Sequence, residues 1–161
     1  MKELLFRLLE LTAKGYRCSQ IMFLLGLDER RRENTDLVRS MAGFCMENGG
    51  EVCGVLSGAA CFVALHSGKG EDPETEDGRM APMLRELDDW FAEYTVRRYD
   101  GMACRQIRGE IPGHPDMGRC GELIIDTYRR MMEILVSNGF HPSGYFRDAM
   151  RAPGEKRMAA L

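Results

Sequence analysis

The chain contains no Cys-x-x-Cys or similarly close cysteine pair. That absence sets aside zinc ribbons, thioredoxin-type motifs, c-type haem attachment and the tight cysteine runs of bacterial ferredoxins. Long apolar runs are missing as well. The most apolar stretch, Val52 to Leu65, falls short of the ~20 residues that cross a bilayer. At the amino terminus, Glu3, Arg7 and Glu10 interrupt Leu4, Leu5, Phe6, Leu8 and Leu9, so the unbroken apolar core of a signal peptide is lacking. Neither charge sign dominates: 22 basic and 25 acidic side chains leave a net charge of -3, which offers no electrostatic footprint for nucleic acid or anionic lipid. There is no phosphate-binding glycine loop, no His/Glu metal motif on one helix and no defensible Ser/His/Asp arrangement. These absences predict a cytoplasmic protein with no membrane span and no nucleic-acid partner.

What is present reads as helix. Apolar residues recur at helical spacing, and no segment shows the strict alternation of a half-buried strand. Met80, Met83, Leu84, Leu87, Trp90, Phe91 and Tyr94 follow the i, i+3, i+4, i+7 rule, with Arg85, Glu86, Asp88, Asp89 and Glu93 opposite. Leu37, Val38, Met41, Phe44 and Cys45 make a second stripe, with Asn34 or Thr35 as its N-cap and Gly49-Gly50 as its stop. A third runs from Leu123 to Leu135 and ends at Asn138-Gly139. Further helices are expected over about 2–13, 18–25 and 52–67, with a short helical turn from Ala103 to Ile107. With 161 residues, the chain is long enough to bury a core as one domain without staples. The expectation is an all-α, single-domain bundle of about six helices over 1–140. A loosely packed or mobile tail follows over 141–161, where Pro142, Gly144, Pro153 and Gly154 break any long helix. The acidic segment Gly68 to Gly78 has almost nothing to bury and reads as a solvated loop, with an acidic docking site as the alternative.

The six cysteines are Cys18, Cys45, Cys53, Cys61, Cys104 and Cys120. In a reducing compartment they point to metal binding or reactive thiols rather than to a disulfide scaffold. Cys18, Cys53 and Cys120 each follow a glycine-containing segment and precede an apolar helical run, and Cys104 follows Asp100-Gly101 in the same way. Each is therefore expected in a first helical turn, where free N–H groups and the helix dipole favour a thiolate or an anionic metal–sulfur group. For any one of them, plain burial as a small apolar residue is the competing explanation. Cys61 lies eight residues beyond Cys53, about 12 Å along a helix axis, and is expected in the core. Cys45, on the apolar stripe of its own helix, is also expected to pack, although the seven-residue connection to Cys53 lets it approach as a fifth participant. Gly54 and Gly58 leave a small-residue helix face on which another backbone or a cofactor can come close. Exposure of that face would indicate a homodimer. Of the histidines, His114 can visit the site from its loop, while His66 and His141 are expected at the surface.

Gly15-Tyr16-Arg17-Cys18-Ser19-Gln20, then Gly50-Glu51-Val52-Cys53-Gly54-Val55-Leu56-Ser57-Gly58, then Cys104 and Cys120-Gly121-Glu122-Leu123-Ile124 together resemble the C-GCAxxG-C-C family of redox-active proteins. That family has four characteristic cysteines and a Cys-Gly-Ala-x-x-Gly motif, and the resemblance spans about residues 15–136. Val55 stands where the motif has Ala, and Cys45 and Cys61 lie outside the family's four. The resemblance implies that Cys18, Cys53, Cys104 and Cys120 form the redox site. From these residues the leading expectation is electron transfer through an iron–sulfur cluster or other metal centre on those four thiolates, with Gly54 and Gly58 beside it and an electron-transfer protein as partner. Thiol–disulfide chemistry, for instance between Cys104 and Cys120, is the second. A non-redox helical interaction or ligand-binding module is the third.

Overall fold

The computed structural model describes residues 2–30, 34–45, 51–109 and 118–140. It contains seven α-helices: α1 (Lys2–Ala13), α2 (Cys18–Arg30), α3 (Thr35–Met41), α4 (Gly54–Ser67), α5 (Met80–Tyr99), α6 (Cys104–Arg108) and α7 (Arg119–Ser137). A three-residue 3-10 turn, Ala42–Phe44, follows α3. Among the described residues there is no strand, and no helix is long and apolar enough to cross a membrane. The fold is all-α, and the 141–161 tail lies outside the described residues.

The local chemistry explains where the helices start and stop. Gly15, at φ +81°, closes α1 in the left-handed conformation that glycine adopts without penalty, and the Tyr16 amide returns to Leu11 O at 3.2 Å. The chain then doubles back, and Arg7 clamps α1 to α2 through Asp28 at 2.7 Å. Asn34 caps α3 by accepting the Leu37 amide at 3.0 Å, as its position predicts. The stripe expected to carry α3 through Cys45 stops earlier. Phe44 is 47% exposed, so burial does not reward another turn, and the Met41 carbonyl accepts instead from the Ser19 hydroxyl at 2.7 Å.

α4 is the central helix, buried on most of its surface. It lies parallel to α2 at very close range. A Cβ on Gly58 would come within 2.6 Å of Ser19 O, and one on Gly26 within 2.3 Å of the Phe62 ring. Each helix thus supplies a glycine to admit the other, near residues 19 and 58 at one level and near 26 and 62 at the next. α7 also begins beside the start of α4 and ends beside its end, where His66 of α4 stands edge-on to Phe140 at 6.0 Å. α5 runs the opposite way, with its final Tyr99 hydroxyl 3.4 Å from Arg119 O and its N-cap Arg79 bonded to Asn138 O. Tyr94–Asp126 and Arg130–Glu86, each at 2.7 Å, hold α5 along α7. Phe23, Phe62, Phe91, Met83, Leu123 and Met131 fill the space between, all essentially inaccessible to solvent.

Candidate functional site

The parallel course of α2, α4 and α7 brings their N-termini to one end of the bundle. Cys18 is the first residue of α2, Cys53 the N-cap of α4, and Cys120 the second residue of α7. α6 delivers Cys104 at its own first position. Its start is set by Gln106, whose side chain accepts the Ala103 amide at 3.1 Å and donates to Asp100 O at 2.6 Å. α5 has already ended there at Asp100, which takes the left-handed conformation at φ 60°. The four sequence-predicted thiols therefore occupy helix starts, and all six cysteines are free thiols.

These four come together, and Cys45 joins them. The Cys18 sulfur is in hydrogen-bonding contact with both Cys120 and Cys45. Cys53 lies within electrostatic reach of Cys104, Cys120 and Cys45, and Cys104 within reach of Cys120 and Cys45. Cys53 and Cys120 are buried, while Cys18, Cys45 and Cys104 keep partial exposure. Cys45 does not pack as part of a helical stripe. Because α3 has ended, Cys45 follows the 3-10 turn in non-helical backbone, and its sulfur is turned onto α2 and the start of α4. The Ser19 amide donates to it at 3.4 Å. The Ser19 hydroxyl, 3.3 Å from the Cys45 sulfur and 2.7 Å from Met41 O, can give its single proton to either. Arg17 grips the Cys45 carbonyl at 2.9 Å. A Cβ on Gly54 would stand only 2.4 Å from the Cys45 sulfur, so the absence of a side chain at 54 is what lets that sulfur reach the group.

The protonation pattern follows from these contacts. Cys18 is pushed well above the usual thiol range by its contacts with Cys120 and Cys45, with burial adding to the effect. Cys45 is brought down to about 6, chiefly because Cys18 donates to it, with Ser19 and the Arg17 charge acting in the same sense against partial burial. The negative charge of this pair therefore resides on Cys45. Burial raises Cys53 to about 12, with the Val55 amide opposing it. Cys104 is raised by burial and by Cys120, while Arg108 works the other way. Cys61 is raised by burial alone, without influence from any other cysteine, and packs against the core as its spacing predicts.

Other candidates sort cleanly. Gly54 and Gly58 are both buried, and the close approach that Gly58 permits is made by the chain's own Ser19 and Met22, so this face is not open to a second copy. His66 sits near the far end of α4, with Nδ1 3.0 Å from Phe62 O, away from the thiols along the helix. His114 and His141 lie outside the described residues. The acidic loop is exposed and largely occupied with its own backbone: Glu74 accepts the amides of Gly70 and Glu71 at 2.8 and 3.1 Å. Among the described residues, no three of His, Cys, Asp and Glu are grouped as ligands for one metal ion. Sequence reasoning missed Arg17, Ser19 and Arg108. The signals for them were short-range: Arg17 and Ser19 flank Cys18, and Arg108 stands at the i+4 position from Cys104 on the same helical turn.

A family model described as "Putative redox-active protein (C_GCAxxG_C_C)" matches residues 16–134. Among curated proteins and solved structures nothing matches the chain. The matched span runs from just before Cys18 to the last turns of α7 and so contains all six cysteines.

Proposed function

We propose, from the premise that the chain belongs to the C-GCAxxG-C-C family of redox-active proteins, that Cys18, Cys53, Cys104 and Cys120 hold an iron–sulfur cluster through which the protein carries electrons. The observation that carries this reading is the convergence of these four thiols, from four separate helices, at one end of the bundle, where Cys18, Cys53 and Cys104 each lie within reach of Cys120. Four thiolates around one tetrahedral ion with ~2.3 Å bonds would sit only about 3.8 Å apart. The described residues are not grouped that tightly. A cluster spreads its thiolate ligands over separate iron atoms and so suits a wider set of sulfurs. When bound, it supplies one-electron chemistry.

The chain's own residues do the rest. The first turns of α2, α4 and α7 turn N–H groups that have no intrahelical partner, and the positive ends of three helices, towards this end of the bundle, which offsets the charge of assembled thiolates. Arg17 and Arg108 add positive charge beside Cys45 and Cys104. Burial of Cys53 and Cys120 keeps water from two of the ligands, and Gly54 leaves the volume beside Cys53 free of a side chain. Partial exposure of Cys18 and Cys104 gives electrons a short route to a protein partner in the cytoplasm. Iron and acid-labile sulfide, measured on protein purified without oxygen, test the reading. Both are expected in simple ratio to protein and lost when Cys18, Cys53, Cys104 or Cys120 is changed to Ser; metal-free, colourless protein under those conditions would refute it.

A further inference from the structure

We propose that Cys45 and Cys18 form a second redox couple, a dithiol that closes to a disulfide when the four-thiolate site is empty. Cys45 lies outside the family's four cysteines, yet its sulfur contacts Cys18 directly. The contact is held from both sides. The Ser19 amide and hydroxyl face the Cys45 sulfur, Arg17 holds the Cys45 carbonyl, and Gly54 leaves the space into which that sulfur projects.

Three features make this the pair that closes. Both residues keep partial exposure, and the Cys45 sulfur is the less deeply set of the two, so a small oxidant reaches Cys45 first, whereas Cys120, the other neighbour of Cys18, is only 6% exposed. Cys18 and Cys120 are both set in the first turns of long helices. Cys45 stands outside any helix, with φ -108° and ψ 83°, so its backbone is not fixed by a helical hydrogen-bond ladder and can adjust over the last stretch that a disulfide requires.

The oxidant is a low-molecular-weight disulfide. The Cys45 sulfur attacks one sulfur of that disulfide and releases one small thiol, leaving a mixed disulfide on Cys45. Cys18 then attacks the Cys45 sulfur and releases the second small thiol. Two protein thiols become one disulfide, the small disulfide is reduced to two thiols, and the two protons pass to those products. Closure also withdraws Cys18 from the four-thiolate site, so an oxidised chain cannot be loaded until it is reduced. The proposal rests on the redox reading of the site only through the shared Cys18.

Metal-free full-length protein titrated with oxidised glutathione provides the test. Two of the six thiols should disappear and return on reduction. Cleavage at arginine and glutamate should then yield a linked fragment joining residues 18–29 to residues 40–47. In Cys45→Ser every remaining thiol should survive the same treatment while iron and sulfide are retained under oxygen-free purification. Gly54→Ala, which keeps all six thiols but displaces the Cys45 sulfur, should slow closure by about tenfold or more. A Cys18–Cys120 link, a mixed disulfide that stays on Cys45, or six thiols surviving excess oxidant would overturn the proposal. The two readings fail separately: absent iron and sulfide defeats the cluster alone, and unlinked metal-free protein defeats the couple alone.

Discussion

The two ends of the α4–α7 pair use the same helix geometry for opposite chemistry. At the end where α2, α4 and α7 begin, N–H groups without intrahelical partners and positive dipole ends meet a collection of sulfurs able to carry negative charge. At the end where α4 and α7 finish, carbonyls without intrahelical partners meet a cation. Arg79 bonds Asn138 O, stands 4.3 Å over the Phe140 ring and is oriented by Asp77, whose own amide donates to Ser67 O at 2.8 Å. The arginine end completes the hydrogen bonding of two helix termini. The thiol end gathers polarisable, oxidisable groups where a folded protein gains little from having them. The difference separates an end where a cation meets carbonyls from an end where helix starts meet thiols.

The contrast can be broken most severely at the shared middle. Phe62→Ala empties a side chain that contacts Phe23, Gly26 and His66. It should cost about 3–5 kcal/mol, read by urea denaturation, and weaken both ends together. Gly58→Val is aimed closer to the sulfurs. Its added atoms meet the Ser19 carbonyl and Met22 Cβ, backbone and near-backbone atoms that cannot move aside. A loss of about 2–3 kcal/mol is expected, with iron content falling because α2 carries Cys18.

Cys53→Ala separates chemistry from stability. Loss of one small buried group should cost only about 1 kcal/mol, while iron and sulfide should fall to background. Arg79→Ala should do the reverse, lowering the melting temperature slightly and leaving iron content unchanged. It also carries a pH signature. Arg79 holds Asp77 down at about 2 in the folded protein, against about 3.9 in an unfolded chain. A depressed folded value contributes stability that is present above the unfolded value and lost as pH falls towards the folded one. Stability measured between about pH 4 and pH 2 should therefore decline less steeply in Arg79→Ala than in the parent protein.

Most of the helices were legible because their periodicity is strong: the stripes of α5 and α7 and the N-cap at Asn34 stand where spacing places them. The four helix-start thiols were legible for a related reason, since a glycine-containing segment ahead of an apolar run marks a helix beginning whatever lies across from it. Cys45 was legible only as an alternative, since its short connection to Cys53 allowed the approach while its helical stripe indicated packing. Its position depends on α3 ending at Met41, and that depends on a serine hydroxyl from another helix taking the Met41 carbonyl, a tertiary event with no local pattern. Gly26 was hidden. A glycine inside a helix is informative only once Phe62 is known to lie against it, and periodicity within either helix says nothing of the partner.

The order of α2, α4, α6 and α7 along the chain has a consequence in time. Cys18 and Cys120 are 102 positions apart, and at ~5–20 residues per second a ribosome needs about 5–20 s to pass from one to the other. During that interval the earlier cysteines exist without the helix that completes their site. The group of sulfurs is therefore complete only once α7 has been made, and nothing that needs all four of them can be held before then.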